Sequence, residues 1–240
     1  MRPKSRRTSS GSVTIAREIH FLQKIMACLS KNGSKSFQLL MGVLALAILS
    51  CDSQPQIRHD PVKTGFVRFT EKSPQELRGF HAVLHTSLGK IEVEFLPDIA
   101  PEHTRNFLRL SQLGFYDHTA WHRIVRGFVI QGGDMGTREP PLQPAEFESG
   151  VKRLKPEFSS LKHIEGTLSM ARGEELDSAE TSFFICLAPQ PVLDGKYTIF
   201  GRVVHGMDVV KKISDVPLDK SKPRQRVEIV RVEILQNTNS

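Results

Sequence analysis

Apolar residues along this chain recur with two different periods. In "HAVLHTSLGKIEVEFL" (His81–Leu96) two alternating runs flank Ser87-Leu88-Gly89. A period of two marks a strand with one buried face, and a short break containing glycine between two such runs predicts a hairpin. Val83 and His85 share one face of the first run, and Ile91, Val93 and Phe95 share one face of the second. The next stretch, "APEHTRNFLRLSQLGF" (Ala100–Phe115), switches to helical spacing. Pro101 suits a first helical turn, Phe107, Leu108, Leu110 and Leu113 form the apolar stripe, and Gly114 is placed to end it. Further strands are predicted over 121–130, 166–171, 183–188 and 198–204. A second amphipathic helix follows over Met207–Val216, with Val209, Val210 and Ile213 apolar, and an alternating strand over Val227–Leu235 closes the pattern.

Many short strands and only two helices predict a mainly β fold, a closed or nearly closed antiparallel barrel. Two segments do not follow either period. Residues 51–79 are polar and irregular, with Pro55, Pro61, Gly65 and Pro74, and read as a tether and lead-in. Residues 135–162 are Pro-rich and charged, and a long excursion on a rigid barrel is a common place for function.

Charge changes the picture less than it first suggests. The chain has 240 residues, 39% hydrophobic and 25% charged, with a formal charge of +7. Eight of the 33 Lys and Arg residues, but one of the 26 acids, lie in residues 1–50, so the remainder is formally neutral. The body therefore has no basic footprint for nucleic acid. Within the leader, Lys31 and Lys35 precede "LLMGVLALAIL" (Leu39–Leu49), shorter than the ~20 residues a spanning helix needs. A positive flank, a short apolar core and a small residue form the layout of a secretory signal. The "ILSC" ending resembles a bacterial lipoprotein cleavage site, with Cys51 as the lipid-bearing residue; a plain signal or an uncleaved anchor is the alternative. Met26 is a better-proportioned start than Met1. The domain reading is thus a leader over 1–50, a tether over 51–79 and one folded domain over 80–240, exported and facing the bacterial periplasm. Of three cysteines, Cys28 is in the leader, and Cys186 sits in an apolar run as a small core residue rather than a nucleophile.

The densest chemistry lies in "WHRIVRGFVIQGGD" (Trp121–Asp134). His122 and Arg123 are adjacent, so in a strand they face opposite ways and form no catalytic pair. "QGGD" lacks the Lys-Ser/Thr of a phosphate loop. The nine histidines show no metal spacing; His81 and His85, on a strand, would be about 13 Å apart. What remains is Arg123 beside Phe128, Val129 and Gln131. That set suits gripping an apolar side chain while a cationic donor acts on a neighbouring amide. The alternative is a solvated Arg123 and a core Phe128, and this stretch alone does not separate the two.

That stretch, with "GTLSMAR", "DSAETSFFICLA", "VLDGKYTIFGRVVHGMDVVKKIS" and "VPLDKSKPRQRVEI" in this order, closely resembles the cyclophilin-type peptidyl-prolyl cis-trans isomerases, particularly the compact bacterial kind. The resemblance covers roughly residues 80–236. It implies an eight-stranded closed antiparallel barrel capped by two helices, and rotation of X–Pro bonds in exported proteins with no cofactor and no metal. Its implied catalytic residue is Arg123. Phe128, Val129, Phe184 and Leu193 would line the proline pocket, Gln131 would hydrogen-bond the substrate, and Ala171 with the Arg172 backbone would pair with its main chain. His122 would flank the site, and Tyr197 stands where many relatives have His. Three positions depart from the pattern: Val129 replaces a usual Met, Ser182 a usual Gln, and Val192 the Trp of cyclosporin-sensitive members. Ser182 removes a long polar side chain beside Arg123, which leaves a proline-binding chaperone or scaffold with little turnover as the alternative. The implied partners are proline-containing polypeptides and, through Cys51, a membrane; a monomer is expected.

Overall fold

Both runs of the predicted hairpin become strands with their apolar parity turned inward. The computed structural model describes residues 66–237 and, for its backbone, the short strand β1 (His59–Pro61). The leader and Cys51 lie outside the described residues. β2 (Phe80–Thr86) buries Phe80, Ala82 and Leu84, and β3 (Gly89–Phe95) buries Ile91, Val93 and Phe95. Thr86 pairs with Gly89 at the hairpin end, and the outward Val83 and His85 pair with Glu92 and Lys90.

The remaining strands are β4 (Thr119–Ala120), β5 (Arg123–Val125), β6 (Val129–Gly132), β7 (Thr167–Met170), β8 (Phe183–Cys186), β9 (Ile199–His205) and β12 (Glu228–Asn237). They form one antiparallel sheet in the order β1-β12-β2-β3-β9-β7-β8-β6-β5, with β4 paired to β12. A separate ribbon joins β10 (Leu218–Asp219) to β11 (Lys222–Pro223). The fold is mainly β and curled, as the pattern predicts, but the count differs from the expected eight strands. Among the described residues the ladder does not close: β12 pairs with β4, and the chain runs on from β4 through Trp121 and His122 into β5. The run 121–130, expected as one strand, is instead the β5–β6 hairpin, broken at Arg126-Gly127-Phe128 with Gly127 at φ 71°.

Helix α2 (Pro101–Gln112) begins with Pro101 in its first turn, and Gly114 follows it at φ 71°. Phe107, Leu108 and Leu110 are buried, but Leu113 is 44% exposed and lies outside the stripe the spacing gave it. Phe107 enters the aromatic interior, 4.8 Å from Tyr116 and 5.4 Å from Phe183, and Trp121 stands 5.6 Å from Phe183 on its far side. Helix α4 (Met207–Asp215) buries Val209, Val210 and Ile213. It starts at Gly206, whose φ of 92° and contact with the Lys90 carbonyl leave no room for a Cβ.

Residues 66–79 and 135–162 are more ordered than their sequences imply. In the expected tether, Phe69 and Leu77 are core residues, Leu77 on the short helix α1 (Pro74–Leu77), whose Ser73 and Glu76 form a reciprocal cap. The excursion carries a second short helix, α3 (Pro144–Gly150), with Gly150 pressed against the Phe115 ring. It also carries Glu157, which supplies what the start of α2 lacks. Ala100 offers no side-chain cap, and the Glu157 carboxylate accepts from the N–H groups of Glu102 and His103 at 3.1 and 3.0 Å and lies 2.7 Å from His103 Nδ1.

Burial alone would raise the Glu157 carboxyl, but the His103 and Glu102 donors overcome it and hold the group below the ordinary carboxylate range. A folded value below the unfolded one means this stabilisation is complete above the unfolded value and is lost as pH falls through the folded one. Glu157→Gln is therefore expected to cost about 1–3 kcal/mol near neutral pH. Urea unfolding would read this as a lower midpoint at unchanged slope, with the gap to wild type narrowing in acid.

Candidate active site

Residues directly opposite each other in an antiparallel ladder point to the same face. Arg123 pairs with Gln131, Gln131 with Phe184, and Phe184 with Ser169, so these four form one row across β5, β6, β8 and β7. The neighbouring row of the opposite parity is Ile124, Ile130, Ile185 and Leu168, each at most 1% exposed and part of the barrel core. The Arg123 row is thus on the outer face. The hairpin explains why Arg123 and Gln131, eight residues apart, meet: Arg123 Nη1 donates to Gln131 Oε1 at 3.4 Å. Among the described residues no carboxylate lies within 4 Å of Arg123, so its remaining donors are free for another acceptor.

Beside this row is a second, smaller apolar cluster, separate from the core. Val129, Phe184, Cys186 and Leu193 are its buried members, and Phe128, Ala171 and Tyr197 pack on it partly exposed. Leu193 comes from a single 3-10 turn (Pro191–Leu193), and Val192 on that turn is 60% exposed. Phe184 and Tyr197 meet edge to face at 5.6 Å. The structure therefore brings together Arg123, Gln131, Phe128, Val129, Phe184, Leu193, Ala171 and Tyr197. His122 is adjacent but half-buried, its Nδ1 without a partner; burial, partly offset by Asp134, lowers its pKa, so it is neutral near pH 7.

The Arg172 side chain makes contacts of its own beside the backbone role that the resemblance implies. Its guanidinium stands 5.0 Å from the Tyr197 ring centroid and donates to the carbonyls of Lys196, Gly173 and Glu174, which ties the Tyr197 loop to the end of β7. Its backbone N–H and C=O make no hydrogen bond among the described residues, whereas the Ala171 N–H is taken by the Ser182 carbonyl at 2.8 Å. The Ser182 side chain has no partner either and faces a cleft of about 270 Å³ alongside the row, lined among others by Gln131, Asp134, Met135, Ala171 and Phe147. Phe147 belongs to α3, so the excursion helps to wall the site.

Two further residues of the site were not legible as such. Cys186 follows Phe184 by two positions on β8 and so shares its face; that parity was the available signal. Its burial, with Asp194 adding to it, pushes the thiol up to about 12. His163 stacks on Phe184, ring centroids 6.1 Å apart and 20° between planes, with Nδ1 3.1 Å from Asp194 Oδ1 and Nε2 3.2 Å from Ser169 Oγ. The trio has the order of a nucleophilic triad but not its chemistry, because Ser169 Oγ is fully buried and donates to the Thr198 carbonyl. It backs the Phe184 ring and fastens the Leu193 turn to β7. No sequence signal marked this use of His163.

A family model described as "Cyclophilin type peptidyl-prolyl cis-trans isomerase/CLD" matches residues 81–234. A peptidyl-prolyl cis-trans isomerase of Arabidopsis thaliana is 40% identical over 170 residues, 69% of this chain and 96% of that protein. A peptidyl-prolyl cis-trans isomerase-like protein of Neurospora crassa is 38% identical over 158 residues, 64% and 93% of the two chains. Among solved structures, a cyclophilin type isomerase of Cryptosporidium parvum superposes with TM-score 0.55 at 29% identity, covering 67% of this chain and 98% of that one. A second crystal of it was obtained in the presence of the dipeptide Ala-Pro.

With a thiol this buried and this weakly acidic, Cys186 is expected to resist alkylation in the native protein. Iodoacetamide in mildly alkaline buffer should leave the Cys186 peptide unmodified, and the same treatment in concentrated guanidinium chloride should modify it; mass spectrometry of the digest reads both.

Proposed function

This chain belongs to the cyclophilin-type peptidyl-prolyl cis-trans isomerases, and we propose that it rotates X–Pro bonds of exported polypeptides with Arg123 as the electrostatic lever. Rotation about a peptide bond costs ~18–20 kcal/mol because resonance gives the C–N bond double-bond character. Lowering that barrier needs no nucleophile. It needs the proline ring held while a donor draws on the prolyl nitrogen lone pair or restrains the carbonyl, so that binding energy is realised in the twisted state.

One observation carries the reading. The free donors of Arg123 stand in the same outward row as Phe184, at the edge of a small apolar cluster that the core does not include. In this reading the ring of proline rests on Phe128, Val129, Phe184 and Leu193. Gln131 aligns the Arg123 fork and accepts or donates to the substrate amide. The unpaired backbone at Arg172 receives the substrate main chain as an added strand. Arginine suits the lever because it stays charged and offers a rigid fork of donors. An Ala-Pro unit, present in the second Cryptosporidium crystal, is the shortest segment that would offer this site a proline ring and the bond before it.

The finer parts of the proposal rest on the leader. A short apolar run after lysines, ending in "ILSC", supports export and a lipid on Cys51, with the catalytic unit facing the bacterial periplasm. Uncatalysed X–Pro isomerisation takes ~10–100 s, slow enough to limit folding of exported clients. Ser182 favours a second reading: its short, unpartnered side chain in the cleft leaves the lever with less support, as a proline-binding chaperone with low turnover would tolerate.

Exchange NMR on an Ala-Pro peptide separates the two. The wild-type chain should accelerate cis–trans exchange, and Arg123→Ala should lose about 10²–10³ in rate, the usual cost of removing one transition-state donor. Because Arg123 is exposed, stability should stay within about 0.5 kcal/mol of wild type. Peptide binding to both forms with exchange at the uncatalysed rate would leave the binding-module reading.

A further inference from the structure

The excursion that walls the active-site cleft with Phe147 turns its other side to a second cleft. This one, about 540 Å³, lies between α2 and residues 138–150 and falls in the range of ligand sites, roughly 300–1,000 Å³. Its apolar lining includes Leu113, Phe115 and Leu142; its charged lining is Arg109, Arg138 and Glu146. Glu146 is committed to the start of α3, accepting from the Gln143 N–H at 2.9 Å. Glu139, next to Arg138 in sequence, pairs instead with Arg226 at 3.3 Å.

The two arginines have no such partners. Arg109 Nη2 donates to Asn106 Oδ1 and the Gly150 carbonyl, and Arg138 Nη1 donates to the Pro140 carbonyl. Among the described residues, neither has a carboxylate within 4 Å, and Nε and Nη1 of Arg109 and Nε and Nη2 of Arg138 have no acceptor. The Arg138 Nε is buried as well as unpaired, an uncompensated loss of hydration. Burial also lowers the Arg109 pKa, as expected for a cation short of a counter-charge. Leu113, the residue that follows α2, joins the same wall and is 44% exposed.

We propose that this cleft is a second binding site, for a carboxylate carried on an apolar group. Arg109 and Arg138 hold the two carboxylate oxygens, and Leu113 and Phe115 receive the apolar body. The source of the carboxylate is the end or an acidic side chain of a polypeptide, or a free small acid. The site is distinct from the active-site cleft although the two are neighbours: α3 borders both, and Asn106, bonded to Arg109, donates to the Glu180 carbonyl at 2.8 Å beside the active-site cleft.

Calorimetric titration of the full chain with N-acetyl-phenylalanine tests this, against the uncharged N-acetyl-phenylalanine amide. The acid is expected to bind at least about tenfold tighter than the amide, and Arg138→Gln and, separately, Leu113→Asp to weaken the acid by a similar factor. Both variants should keep wild-type Ala-Pro exchange in the absence of the probe. A proline-free alanine peptide ending in phenylalanine with a free carboxyl terminus gives the second arm. Tighter binding than the small acid assigns the site to polypeptides, and equal or weaker binding assigns it to free acids. Equal affinity for acid and amide, no effect of either variant, or displacement of the acid by Ala-Pro peptide overturns the proposal.

Discussion

The register of β5, β6, β8 and β7 sets Arg123, Gln131, Phe184 and Ser169 in one outward row while Ile124, Ile130, Ile185 and Leu168 fill the core behind them. A slip of one residue would exchange the two sets, putting a guanidinium into an apolar interior. Placement of Arg123 is therefore fixed by the same burial that stabilises the sheet. The Gly127 turn folds the hairpin that brings Arg123 opposite Gln131.

That row is only as rigid as what lies behind it. Sequence neighbours on β8 divide the work: Phe183 packs inward among Phe107, Tyr116 and Trp121, and Phe184 packs outward on Val129, Cys186 and Leu193. The His163–Asp194–Ser169 bonds then support the outer ring from one side and Tyr197 from the other. Under the proposed mechanism this support matters, since the effect would lie in holding a proline and a donor in fixed relation while the bond turns.

Much of this was legible in the sequence because alternation is a local signal. The β2–β3 hairpin, α2 and α4 follow their periods, the last strand forms but a register shift between Ile229 and Arg231 interrupts its alternation, and the resemblance named the residues that the register gathers. What stayed hidden depends on distant partners or on turns. The break at Arg126-Gly127-Phe128 splits a run whose apolar residues continue on both sides. Glu157 caps a helix that begins 56 positions earlier, in a stretch with no period. Phe69 and Leu77 lie in a stretch with no sustained period, so no windowed pattern can raise them to core residues. Leu113 obeys the helical spacing and is nevertheless exposed, since spacing gives a face but not the neighbour that covers it.

The claim that the lever and the pocket act on one bound proline is tested most directly by NMR on the chain with nitrogen-labelled arginine and labelled phenylalanine rings, titrated with an Ala-Pro peptide. The account predicts that the Arg123 Nε signal and the Phe184 ring signals shift together along one saturation curve. Saturation of the peptide with Phe184 shifted and Arg123 unmoved, or with both unmoved, would contradict it.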